Sequence, residues 1–183
     1  RREGLEVRER MTFDAGRYTV GVRIEVRNPT PTPRAVVITL PWNARQAWDA
    51  TQEKFIGQRP TEIVWSAHGG VGRIDDLTAV PAQEIEGEWI GFDSVWYLSA
   101  LLPKSGGFKL VTRGDPKPAE DRKEPAGRAT IEVRATPTLA PGQTWSGEVV
   151  VFVGPKEYER LKAWGLEGAL NFAWLLAIVG VIY

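Results

Sequence analysis

Residues Tyr18 to Arg27 alternate without a break, with Tyr18, Val20, Val22, Ile24 and Val26 on one side and Thr19, Arg23, Glu25 and Arg27 on the other. A period of two over this length marks an antiparallel strand with one face in a core and one in water. The next residues, Asn28 to Pro33, read NPTPTP, and their prolines remove the amide donors that a sheet ladder needs. A loop between strands is expected there. Short β-rich runs broken by proline or glycine then recur along the chain. Ala35 to Leu40 is one, ended by Pro41 and Trp42, and Thr61 to Ser66 and Arg73 to Thr78 follow, set off by Gly69, Gly70, Gly72 and Pro81.

Glu88 to Leu102 (EWIGFDSVWYLSALL) is apolar on both faces, as expected for a central strand or for a strand with a bulge near Gly91. Arg113 to Arg128 is strongly polar and carries Pro116, Pro118 and Pro125, which predicts a solvated loop. Thr130 to Arg134 alternates again, Pro141 and Gly142 predict a tight turn, and Thr144 to Val153 reads as a strand buried on both sides from Val149 onward. A helix is expected from Pro155, with Tyr158, Leu161 and Trp164 on one face and Gly165 closing its last turn after Lys162. This procession predicts an all-β sandwich, larger than a single immunoglobulin unit, with a helical C-terminal appendage.

The last residues change character. From Gly168 to Tyr183 no side chain ionises except the terminal tyrosine. As a helix this run would reach about 24 Å, slightly short of the roughly 30 Å of a hydrocarbon core. The run is C-terminal, so it is not a signal peptide. It stops without a polar flank, and the chain opens on Arg1 in the charged segment RREGLEVRER; both ends are expected to be cuts through a longer protein. Trp164, Trp174, Leu175, Ile178 and Val179 are the candidates for contact with a membrane, the last four falling on one side at helical spacing.

Composition excludes several functions. The chain's 183 residues are 43% hydrophobic and 25% charged, ordinary for a globular domain. Its 23 basic and 23 acidic residues cancel, which leaves no electrostatic footprint for nucleic acid. The absence of cysteine removes disulfides, thiolate nucleophiles and thiolate metal sites. The single histidine, His68, lies in SAHGGVG beside Ser66, with no nucleophile elbow around any serine, and one histidine without cysteine makes no zinc site. The same glycines lack the GK[ST] ending of a phosphate loop. Asp75 and Asp76 are adjacent and Glu84, Glu86 and Glu88 recur at period two, a pattern that fits an exposed loop or strand edge. No catalytic residue, cofactor or metal is expected. Eight tryptophans are many; most are expected in apolar cores.

Three segments together resemble the YidC family of bacterial membrane protein insertases, in the large extracytoplasmic domain between the first and second transmembrane helices. Tyr18 to Asn28 (YTVGVRIEVRN) is similar to an early family strand ending in Arg-Asn. Trp89 to Pro103 resembles a family segment at Trp89, Gly91, Tyr97, Ala100 and Pro103, with Leu98 where an aromatic is common. Val153 to Trp174 resembles the strand-end V-G-P-K, helix and G-L-x-x-x-x-D-x-G-W link, with Asn171 and Ala173 in place of Asp and Gly.

The resemblance implies a β-supersandwich of antiparallel strands, similar to galactose mutarotase, over residues 1–153, with short C-terminal helices and the start of a membrane-proximal segment over 154–183. It implies a parent protein, not an enzyme, that assists insertion and folding of inner-membrane proteins, alone or with the Sec translocon, this domain facing the periplasm. The implied partners are Sec components, nascent membrane proteins and, at the C-terminal end, the membrane. The insertion groove of the family belongs to its transmembrane part, so no catalytic position carries over. The competing reading from another class is a carbohydrate-binding supersandwich with Trp42, Trp48 and Trp65 as a stacking platform, the sugar-epimerising variant with a carboxylate as base being ruled out by the lack of a second histidine; tryptophan fluorescence during glycan titration separates the two.

Overall fold

A computed structural model describes residues 4–46, 61–68, 70–114 and 127–170. The strands are β1 (Glu6–Asp14), β2 (Thr19–Arg27), β3 (Arg34–Ala35), β4 (Ile38–Gln46), β5 (Glu62–Ala67), β6 (Gly70–Ile74), β7 (Gln83–Ile85), β8 (Ile90–Asp93), β9 (Tyr97–Ser105), β10 (Lys109–Gly114), β11 (Gly127–Ala135), β12 (Thr138–Leu139) and β13 (Thr144–Pro155). One short helix, α1 (Tyr158–Lys162), follows, and then a 3-10 turn over Glu167–Ala169. The strands form a seven-stranded sheet in the order β1-β2-β13-β9-β8-β5-β6, a four-stranded sheet β4-β11-β10-β7 and a small β12-β3 pair. Every pairing is antiparallel, so the expected all-β fold of antiparallel strands is what forms.

The two large sheets enclose one core. Val22, Ile24 and Val26 of β2 meet Val149 and Val151 of β13, Ile90 and Phe92 of β8, and Ile131 and Val133 of β11 there. The alternation in Tyr18 to Arg27 thus sorts its side chains as expected, apart from Thr19, which is also buried, and Tyr18, which precedes the strand and is exposed. Directly opposed residues share a face in an antiparallel pair. Val149 opposite Val22 and Val151 opposite Val20 and Leu101 therefore define the inner face of the large sheet, while Val150 opposite Leu102 and Phe152 opposite Ala100 define its outer face.

Several expectations are corrected. Pro41 does not end a strand: it lies within β4, opposite Glu132, and β4 is an edge of its sheet, the setting in which proline is tolerated in a strand. Glu88 to Leu102 is not one strand but the hairpin β8-β9, turned at Ser94–Trp96, where the Ser94 and Tyr97 main chains bond at 3.0 Å. The register shift sits in β13 between Glu148 and Val149 rather than near Gly91. The strand read at Arg73 to Thr78 is β6, which runs earlier, through Gly70 and Gly72. Pro155 is the last residue of β13, opposite Tyr97, not the start of the helix. Within β13, Val149 to Phe152 are buried but Val153 is exposed. The charged opening conceals β1, whose nine residues alternate weakly and pair along the whole length of β2. The loop expected over Arg113 to Arg128 begins and ends inside β10 and β11, and its residues 115–126 lie outside those described.

Candidate functional site: the C-terminal dock

The outer face of the seven-stranded sheet carries a second apolar cluster. Val64, Trp89, Leu98, Ala100, Leu102, Val150 and Phe152 line it, and the chain that leaves β13 turns back over them. Helix α1 has only five residues and cannot stand by propensity alone. Packing and its termination hold it. Gly165, at φ +71, donates its amide to the Lys162 carbonyl at 3.1 Å, and Leu166 donates to the Leu161 carbonyl at 2.8 Å. These are the two reversed bonds of a Schellman cap, and the apolar pair that accompanies such a cap is Leu161 with Leu166, both fully buried. Gly165 therefore closes the helix as the sequence indicates. Its carbonyl in turn accepts the indole N–H of Trp89 at 3.1 Å. Of the face expected on the helix, Leu161 is buried, Trp164 is half-buried with Lys104 Nζ 5.9 Å from its ring, and Tyr158 is exposed.

Beside this cluster lies an ion network. Register places Glu62 opposite Asp93 and Val64 opposite both Gly91 and Arg73, so these side chains belong to the outer face. Arg73 Nη1 donates to Glu62 Oε2 at 2.9 Å and to Asp93 Oδ2 at 3.0 Å, while Nη2 donates to the Ala169 carbonyl at 3.0 Å. Lys156 Nζ sits 2.6 Å from Asp93 Oδ1, off the axis of a well-aligned hydrogen bond, and donates to the Ser94 carbonyl at 3.1 Å. Glu62 and Asp93 are both buried, and buried carboxylates need such partners. Burial alone would lower the pKa of Arg73, but its hydrogen bonds to Asp93 and Glu62 prevail and hold it above its ordinary value. Both carboxylates are engaged by cations, so the arrangement clamps a chain segment; it offers no free base or nucleophile. Among the described residues no cluster of histidine, aspartate and glutamate is placed to hold a metal ion.

The other residues singled out by sequence lie elsewhere. Ser66 Oγ accepts from the amides of Glu88 at 2.6 Å and Trp89 at 3.4 Å, a tie between strands, and His68 is exposed in the β5-β6 turn. Asp76 Oδ1 accepts from the Thr78 amide at 2.8 Å and hydroxyl at 2.6 Å, which closes a local turn. Glu84 lies on the edge strand β7, 2.7 Å from Lys109 Nζ. Trp42 and Trp65 are half-buried against the central core, and Trp48 lies outside the described residues. Trp174, Leu175, Ile178 and Val179 also lie outside them. No helix among the described residues is long and apolar enough to cross a membrane.

What sequence reasoning missed is the Arg73 network, whose signal was an ionisable residue at the parity of buried neighbours: Glu62 two before Val64, Asp93 two after Gly91. The two later motifs do converge. Strands β8 and β9 from one and β13 with α1 from the other are neighbours, joined by Pro155 opposite Tyr97, Gly154 opposite Leu98 and Trp89 on Gly165.

Comparison with known proteins bears on this convergence. The family model described as the YidC periplasmic domain matches residues 1–183. The chain is 22% identical over 175 residues to a membrane protein insertase YidC of Syntrophus aciditrophicus, covering 93% of this chain and 30% of that protein. It is 27% identical over 191 residues to a protein of the same name from Paraburkholderia xenovorans, covering 98% and 32%. The chain thus spans about a third of the length of these relatives. Among solved structures, a GH36 alpha-galactosidase from Geobacillus stearothermophilus aligns at TM-score 0.48 and 13% identity, over 82% of this chain and 22% of the other.

Proposed function

Because this chain belongs to the YidC periplasmic domain family, we propose that it is the extracytoplasmic part of an inner-membrane insertase that assists insertion and folding of membrane proteins, alone or with the Sec translocon. In this reading the domain is not an enzyme. It holds the chain that enters the membrane region in a set place and orientation. Residues 154–183 then form the junction between the sandwich and the bilayer, with the apolar residues Trp174, Leu175, Ile178 and Val179 nearest to lipid and Trp164, half-buried beside Lys104, set back on the sheet.

The observation that carries the reading is where the C-terminal segment is fastened. Trp89 and Arg73 grip the carbonyls of Gly165 and Ala169, the last turns before the sequence becomes apolar and uncharged. A clamp at that point transmits the position of a rigid body to whatever the apolar run enters. The half-buried packing of Trp42 and Trp65 weighs against the carbohydrate reading at those two residues.

The test is a domain exchange in a bacterium depleted of its own YidC. A full-length insertase carrying this chain in place of its periplasmic domain is expected to restore membrane integration of a polytopic reporter, read by protease protection, and to copurify with Sec components. A chimera that accumulates folded and restores no integration overturns the insertase reading. Restored integration without copurification removes only the Sec partnership.

A further inference from the structure

Six exposed apolar side chains gather at one end of the seven-stranded sheet. Phe13 lies opposite Val20, Val153 opposite Ser99 and Pro155 opposite Tyr97, so Phe13, Val153 and Tyr97 occupy the inner face beyond the last buried core residues. They are 74%, 46% and 62% exposed. Trp96, 74% exposed, tips the β8-β9 turn; Tyr18 lies in the β1-β2 connection and Tyr158 begins α1. Main-chain bonds hold these turns together: the Val153 amide donates to the Tyr18 carbonyl, and the Lys156 amide to the Trp96 carbonyl, both at 2.9 Å.

The polar surroundings narrow the partner. Arg160 sits 4.8 Å from the Tyr18 ring centroid and Lys162 Nζ 5.6 Å from that of Tyr158. Three nearby cations are paired with carboxylates, Arg17 with Asp14, Arg160 with Glu157 and Lys156 with Asp93. A charge-balanced rim of tryptophan and tyrosine with cations over the rings suits the headgroup layer of a bilayer, where amphipathic aromatics reside, and gives no pull toward a strongly acidic partner. The exit of the chain adjoins it. Arg73, which holds the Ala169 carbonyl, also bonds Asp93, whose other oxygen meets Lys156 next to Trp96, and beyond Leu170 the sequence is uncharged and apolar.

We propose that this rim rests on the lipid headgroup layer, with Trp96 and Tyr97 as its anchors. The proposal builds on the membrane reading above and adds which end of the sandwich faces the bilayer.

Full-length chain is mixed with phosphatidylcholine vesicles whose acyl chains are brominated, and tryptophan quenching is compared with that of Trp96→Phe. The variant is expected to lose part of the quenching, and the double variant Trp96→Ser with Tyr97→Ser to partition about tenfold more weakly. Val37→Ser, at an apolar residue 69% exposed between β3 and β4, is expected to change neither. Equal quenching in native chain and Trp96→Phe overturns the proposal, because contact would then run through other tryptophans such as Trp174. Shielding of Trp96 from aqueous iodide without vesicles overturns it in favour of the chain's own segments, and a dimer lost in the double variant does so in favour of a second copy. The insertion assay above can fail while Trp96 is quenched, and can succeed while it is not, so the two readings fail separately.

Discussion

Asn28 is fully buried, and both ends of its amide are used. Nδ2 donates to the carbonyls of Thr32 at 2.8 Å and Leu139 at 2.9 Å, while Oδ1 accepts from the Thr30 amide at 3.0 Å and hydroxyl at 2.6 Å. One side chain thus supplies the partners that the proline-rich loop cannot find in a ladder. Asn28→Ala strands those carbonyls and is expected to cost about 2–3 kcal/mol in urea unfolding; Asn28→Asp, which turns a carboxylate on the same carbonyls, is expected to cost more. An alanine variant within experimental error of the native stability would show that the loop holds itself. Gly165 is the other residue whose identity is dictated locally: at φ +71 a side chain is strained, and Gly165→Ala is expected to lose about 1 kcal/mol. Gly91 is constrained by space instead, since a Cβ there would lie 2.5 Å from the Ser99 carbonyl oxygen, so Gly91→Ala must part β8 from β9.

At the scale of elements the weakest piece is α1 with the following 3-10 turn, which relies on the sheet beneath it. Removing Arg73 leaves Glu62 and Asp93 buried with Lys156 as their one remaining cation in the network, and Arg73→Ala is expected to cost about 3 kcal/mol. The more telling readout is local. Amide exchange at Gly165 and Leu166 is expected to accelerate before that of β13, because the clamp holds the segment and the ladder holds the strand. Simultaneous acceleration in both would mean that dock and sheet open as one. The guanidinium is held above its ordinary pKa, so its contribution is present in full below that ordinary value and is lost only as pH rises past the folded one. Protection of the segment is therefore expected to be flat between about pH 7 and about pH 9. Elements with strict alternation, β2 and β11, were legible in sequence, because period two survives whatever lies next to it. The β8-β9 hairpin was not: Ser94, Val95 and Trp96 carry none of the glycine or proline that usually marks a turn, and both strands are apolar on two faces because clusters lie on either side.

The described residues together form a sandwich with a covered back. The seven-stranded sheet serves two clusters at once, the core shared with the four-stranded sheet and the outer cluster closed by the C-terminal segment. Leu166→Ala, in the outer cluster, is expected to cost about 3 kcal/mol of global stability, since the cavity would open against Leu98 and Phe152 on central strands. Calorimetry showing an early separate transition for this variant, with the main one unmoved, would mean the two clusters melt independently. Alternation, prolines and glycines were enough to settle the all-β class and the helix-closing Gly165, and three short motifs carried the resemblance to the family, because these are local consequences of backbone geometry and of patterns a few residues long. Which strands become neighbours, that Arg73 reaches Glu62, Asp93 and Ala169 across the sheet, and that the aromatics of separate turns meet at one rim were decided by the tertiary structure alone. Those contacts join residues distant along the chain, and strand pairing follows from the packing of both faces together, which no stretch of sequence carries by itself.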